Sequence, residues 1–242
     1  MAIRAAEHRT REPRRAAERQ AGMAVHIARR VDIPDWVRDH ESFRRWARSP
    51  EYPEKLRVAF YDGDLWVDLD MEQLYVHNQV KAQVAVTLIP LVEVADIGTF
   101  VTDGMLLTIA EIELTTIPDG YFVSYAALRE GRVREVAGAS NGCVELVGSP
   151  EMTLEVVSRS SEEKDLVVLR ERYYEGGVLE YWLIDARTED VGFELLKRGA
   201  KGFTPTRRQS GGWLKSEVFG RSFRLVRGSN QLGKPSYKLE VR

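Results

Sequence analysis

The sequence predicts an α/β chain: a central mixed β-sheet flanked by helices, with extra antiparallel strands. Three observations predict it. Alternating apolar and polar residues surround the Asp-Gly pairs of "YDGDLWVD" and "VTDGMLL", which reads as short antiparallel strands. Val76, Val80, Val84 and Leu88 step by four, the stripe of an amphipathic helix. A strand, a helix and the apolar run "VLEYWLIDA" follow one another after residue 152, the order of a parallel crossover.

Taken in order, the first structured segment is "IPDWVRDHESFRRWARSP". Trp36, Phe43 and Trp46 recur at roughly helical spacing until Pro50 stops them, so a short covering helix is expected. "KLRVAFYDGDLWVDLD" is a hairpin, because Asp-Gly suits the positive backbone angles of a tight turn. In "MEQLYVHNQVKAQVAVTLIPLVE" the helix carries His77 near the edge of its apolar stripe, and Pro90 limits or bends it. His77 reads either as a satisfied rim histidine or as a residue aimed at a site. "GTFVTDGMLLTIA" reads as a second strand pair about Asp-Gly, and "TTIPDGYFVSYAAL" as a strand that Asp119 opens. "ALREGRVREVAGASNGCVELVG" looks like an inserted excursion. Helix is expected from Glu162 to Glu175, ended by Gly176 and Gly177, and the aromatic-rich remainder reads as strands extending the sheet.

Composition narrows the function classes. The 242 residues allow one sizeable core, with 30% charged and 43% hydrophobic residues and no apolar run of membrane-spanning length. A net charge of -2 supplies no global attraction to nucleic acid, so such binding requires a local basic face. Cys143 alone can form neither an internal disulfide nor a cysteine zinc site, which fits a reducing cytoplasm and no membrane. Residues 1–30 are rich in Arg and Ala and read as a basic, solvated tail, and Met23 leaves a start after residue 22 open. Residues 31–230 then form one domain, and 231–242 a C-terminal extension.

Glu155 is the residue that asks for a reason. It stands between Leu154, Val156 and Val157, where an ionised carboxylate taken out of water costs several kcal/mol unless something compensates it. An edge strand facing water, a buried ion pair, and a metal or catalytic role all meet that requirement. Asp119 sits similarly, among apolar residues at a strand start. If the two strands are neighbours their carboxylates can converge, and a pair of hard oxygen ligands suits Mg²⁺ or Mn²⁺. Lys164, nine residues past Glu155, is the nearest cation able to hold water or stabilise charge in a transition state.

The stretches "PDGYFVS", "LEVVSRSSEEKD" and "YYEGGVLEYWLIDA", together with "YDGDLWVD" and "HNQVKAQ", resemble the Uma-type restriction endonuclease family of the PD-(D/E)XK nuclease superfamily. The resemblance spans roughly residues 40 to 230. It implies a restriction-endonuclease-like core, Mg²⁺-dependent hydrolysis of DNA phosphodiesters, and often homodimers. By position Asp119 and Glu155 match the two metal-binding acids, while His77 and Asn78 match the first helix, where they contact substrate or support the metal ligands. Glu180, Tyr181, Trp182 and Asp185 also match family positions and are assigned to structure. The pattern departs at the lysine. Val157 occupies the E-x-K position, and Leu169 stands four residues before Tyr173, where the family usually places a substitute. Lys164, or less directly Arg170, then supplies the charge. The rival expectation is a weak or inactive nuclease-fold protein serving as a nucleic-acid-binding or dimerisation module. A small-molecule hydrolase has no G-x-S-x-G elbow, P-loop or H-x-x-x-H pair to support it.

Overall fold

The computed structural model describes residues 33–53, 57–68, 73–138 and 142–242; the basic stretch 1–30 lies outside the described residues. Helix α1, His40–Ala47, begins with a reciprocal cap: Asp39 accepts from the Ser42 N–H at 2.8 Å, and Ser42 Oγ accepts from the Asp39 N–H. It buries Phe43 and Trp46 completely. Trp36, expected within this helix, precedes it and is half-exposed beneath the Arg45 guanidinium.

Strands β1, Arg57–Tyr61, and β2, Asp64–Asp68, form the expected hairpin, with Asp62 and Gly63 both at positive φ. A π-helical turn, Leu74–Asn78, leads into α2, Gln79–Ala95, which buries Val80, Val84, Leu88 and Val92. Pro90 lies inside α2, which continues to Ala95, so the proline does not set its length. The second Asp-Gly pair behaves differently from the first. Strands β3, Gly98–Thr102, and β4, Leu106–Ile109, flank Asp103-Gly104 but enter different sheets instead of pairing with each other.

Strand β5, Leu114–Thr116, precedes β6, Gly120–Ser124, and a short helix α3, Tyr125–Arg129. Strands β7, Val133–Ala137, and β8, Cys143–Gly148, follow, then β9, Met152–Val156. The stretch read as an inserted excursion is therefore structural: β8 pairs in parallel with β4 and helps to build a sheet. A second π-helical turn, Lys164–Val168, opens α4, Leu169–Glu175, which is followed by the buried strand β10, Glu180–Asp185. Strands β11, Gly192–Arg198, and β12, Phe203–Pro205, complete one sheet. The last three, β13 (Leu214–Lys215), β14 (Ser222–Ser229) and β15 (Pro235–Val241), form a separate sheet instead of extending the main one.

Among the described residues the fold is thus mixed α/β with three sheets, ordered β2-β1-β5-β4-β8-β7, β12-β11-β10-β9-β6-β3 and β13-β14-β15. The second is the mixed central sheet, parallel between β9 and β10 and antiparallel elsewhere. On one face Leu154, Val156, Trp182 and Ile184 pack with α2 and with Phe223 and Leu239 of the third sheet. On the other face Tyr121, Tyr181 and Leu183 pack with Leu169 and Tyr173 of α4 and with Leu107 and Ile109 of the first sheet. Burying aliphatic side chains of this size contributes roughly 1.5–3 kcal/mol each. Among the described residues no helix is long and apolar enough to cross a membrane.

Candidate active site

Gly120 of β6 pairs with Leu154 of β9, so one step outward Asp119 stands opposite Glu155. The two acids singled out by their apolar neighbours are brought together by antiparallel pairing of the strands that carry them. Both are buried, at 6% and 2% exposure, so each carboxylate must be answered by other groups.

Asp119 is answered by cations. Its Oδ2 accepts the Val156 N–H at 2.8 Å and lies 3.5 Å from His77 Nε2, while Oδ1 is 3.4 Å from both Lys81 Nζ and Arg57 Nη1. Burial raises its pKa, but the His77 hydrogen bond, the His77 and Lys81 charges and the Val156 N–H together hold it below the usual carboxylate range. Asp103, in the turn between β3 and β4, braces these cations: Lys81 Nζ reaches its Oδ2 at 2.8 Å and Arg57 pairs with it as well.

Glu155 is answered differently. Its Oε1 accepts from Tyr173 Oη of α4 at 2.7 Å, and its pKa is pushed well above normal, first by burial and next by the charge of Asp165. Asp165, at 1% exposure, is itself pushed up to about 6 by burial, with Asp119 adding to the rise and Lys164 and Ser161 opposing it. Ser161 Oγ donates to its Oδ2, whereas its buried Oδ1 lies 3.4 Å from Lys164 Nζ without an aligned hydrogen bond. Burial together with the charges of Asp165 and Asp119 makes Glu155 costly to ionise, and burial does the same for Asp165. Such a cost is what a divalent cation relieves, and carboxylate oxygens are the donors that Mg²⁺ or Mn²⁺ prefers, so the residues fit such an ion. Among the described residues no three His, Cys, Asp or Glu side chains converge into a ready-made cage.

Asp119 and Asp165 line a cleft of about 140 Å³ together with Arg57, Arg159, Lys164 and Arg187, whereas Glu155 is not part of the lining. Three of these cations already meet acids, Arg57 with Asp103 and Asp119, Lys164 with Asp165 and Arg187 with Asp185 and Glu162, so the lining is mixed in charge.

Residues 40–226 match a family model, Uma2, described as "Putative restriction endonuclease". The chain belongs to the Uma2 family. A crystal structure described as a putative nuclease belonging to DUF820 from Anabaena variabilis has a similar fold. It has a TM-score of 0.54 at 13% identity and covers 75% of this chain and 90% of that one. No curated protein matches the chain.

Within this Uma2 chain the other expected residues divide. His77 and Lys164 line the cleft, each in one of the π-helical turns that open α2 and α4. Such turns recur at functional sites because they re-aim side chains relative to a regular helix. Asn78 is exposed at the start of α2 and does not line the cleft. Arg170 turns away, its guanidinium reaching the Phe203 carbonyl at 3.4 Å. Val157 and Leu169, at the two positions where a lysine is usual, are packed in the core. Asp185 accepts from the Arg187 N–H and side chain, the turn-capping role expected of it.

Four participants escaped the sequence reading: Lys81, Asp103, Asp165 and Tyr173. Lys81 carried a usable signal, since it lies four residues after His77 and therefore on the same helix face. Asp165 lies four residues after Ser161, at the mouth of the following helix. Asp103 carried none, because its role depends on where its turn is placed.

Proposed function

We propose that this Uma2 protein is a Mg²⁺- or Mn²⁺-dependent endonuclease acting on DNA. Asp119 and Glu155 hold the cation, with Asp165 beside them. The single observation that carries the reading is the opposition of Asp119 and Glu155 across the β6–β9 pairing, with Asp119 lining a cleft that Arg57, Arg159, Lys164 and Arg187 also line. Bound there, the ion supplies Lewis acidity toward a phosphoryl oxygen and activates water. The chain's own groups do the rest. The four cations draw in and orient the phosphodiester, His77 and Lys81 keep Asp119 ionised, and Tyr173 fixes the carboxyl of Glu155. Lys164 presents a positive charge to the cleft in place of the lysine absent at Val157 and Leu169. Self-association and a cytoplasmic setting belong to the same reading.

A second reading has one observation in its favour. Two lysine positions are filled by core side chains, so the fold accommodates binding without efficient cleavage. Calorimetric titration with Mg²⁺ and Mn²⁺, followed by plasmid nicking, separates the two. Wild type binds and nicks, and the Asp119→Ala, Glu155→Ala double variant does neither. Binding without nicking selects the binding module, and no binding by wild type overturns the metal site.

A further inference from the structure

A second cavity, of about 130 Å³, adjoins the first. It is lined by Ala59 and Trp66 of the β1–β2 hairpin, by Thr116, and by the Ser160–Lys164 segment. The two cavities share Arg57, Ser161 and Lys164 and so are continuous, and Glu163 also lines the second. Like Trp36, Trp66 is more than a third exposed, but Trp66 lines this cavity. Trp46 and Trp182 are fully buried, whereas Trp66 is 42% exposed on β2, the edge strand of its sheet. Its indole stacks on Tyr61, with centroids 4.7 Å apart and planes at 18°, and Tyr61 is itself buried, so the exposed ring rests on a fixed support. The exposed part of the indole lies on an edge strand and is available to stack on a flat ligand.

We propose that this groove is a nucleobase-stacking subsite that takes the base of an unpaired nucleotide next to the scissile phosphate; this rests on the nuclease reading. A flat aromatic ring beside two cations is the chemistry that holds single-stranded nucleic acid: the ring stacks on any base, and the cations follow the backbone. Charge complementarity and continuity with the acid cleft select a nucleotide over an uncharged ligand, which has no use for Arg57 and Lys164. Bases within an intact duplex already stack on one another and offer no face to Trp66. The preferred substrate is therefore single-stranded DNA, or duplex DNA with an unpaired stretch.

The test measures binding without cleavage, by fluorescence anisotropy of a labelled oligothymidylate of about 12 nucleotides in EDTA. Trp66→Ala weakens binding by about tenfold, the size of one lost base stack, and Trp66→Phe retains most of it. An abasic strand of the same length binds wild type and Trp66→Ala equally, and thermal unfolding confirms that both variants fold. Equal affinity of wild type and Trp66→Ala for the base-bearing strand overturns the subsite. So does a Trp66→Ala effect confined to concentration-dependent self-association, which would make β2 a contact between copies. Mg²⁺-dependent cleavage is scored separately: cleavage with Trp66-independent binding removes only the subsite, and Trp66-dependent binding without cleavage removes only the nuclease reading.

Discussion

Glu145 and Glu155 are both glutamates in interior strands, both almost wholly buried, and they sit in opposite circumstances. Glu145 of β8 receives Arg44 Nε at 2.8 Å, Arg48 Nη1 at 2.9 Å and Thr108 Oγ1 at 2.7 Å, and Thr108 continues through Thr115 to His40. Burial alone would raise its pKa, but those bonds and the two arginine charges bring it below the ordinary value. Glu180 is satisfied in a similar way, by Trp182 Nε1, Ser216 Oγ and the N–H groups of Glu217 and Val218, which tie the third sheet to the second. The pKa of Glu155 is raised first by burial and by the charge of Asp165, with Asp119 adding to the rise, and the Lys164 charge and the Tyr173 hydrogen bond oppose them. A buried acid whose partners are complete is part of the architecture. One left in repulsion is kept at a cost to stability, and that pattern marks a functional site.

The contrast is broken most directly by Glu155→Gln. Plasmid nicking with Mg²⁺ falls by about 10²–10³-fold or more, the scale of losing a group that stabilises transition-state charge, while the melting temperature holds or rises. A clear drop in melting temperature would put Glu155 in the same class as Glu145. Glu145→Ala does the reverse. It strands Arg44 beside the Thr108–Thr115 chain and costs roughly 3–5 kcal/mol, read as a lower denaturant midpoint with unchanged activity per folded molecule.

Lys164→Met sharpens the picture within the site, lowering the nicking rate by about ten- to a hundredfold with little change in metal affinity measured by calorimetry. If the rate is unaffected, the charge comes from Arg57 or Lys81 instead. The smallest effect is a pH slope. Asp165 is pushed from 3.8 up to about 6 in the folded chain, so the folded state binds its proton more tightly than the unfolded one. Metal-free protein therefore has this stabilisation in full below about 4 and loses it as pH rises toward about 6. Asp119, shifted the other way, contributes stability that is lost only in more acidic solution. Melting curves of Asp165→Asn should show a shallower decline between those two values, the remainder coming from Glu155, whose pKa is also raised, and Mg²⁺ should flatten it in wild type.

How far the sequence could be read depended on whether a feature was local. Asp62-Gly63 and Asp103-Gly104 are the same dipeptide between similar strands, yet only the first closes a hairpin. Turn chemistry sets the backbone angles at the glycine, whereas sheet membership depends on which distant strand is available to pair. The excursion between β6 and β9 and the terminal strands were misplaced for the same reason. The α2 stripe and the buried run of β10 were legible because period and apolar composition are written within a few residues.

At the site, the sequence by itself determined that Asp119 and Glu155 needed compensation, since charge amid apolar residues is visible without coordinates. It also determined that no lysine stood at Val157 or Leu169. Only the tertiary structure decided what answers each acid: the β6–β9 register set them opposite one another, and the placement of the β3–β4 turn brought Asp103 to Lys81 and Arg57. The π-helical turns aimed His77 and Lys164 inward while Arg170 went to Phe203. The physical reason is that electrostatic interaction depends on distance in space, and strand pairing converts separations of tens of residues into a few ångströms.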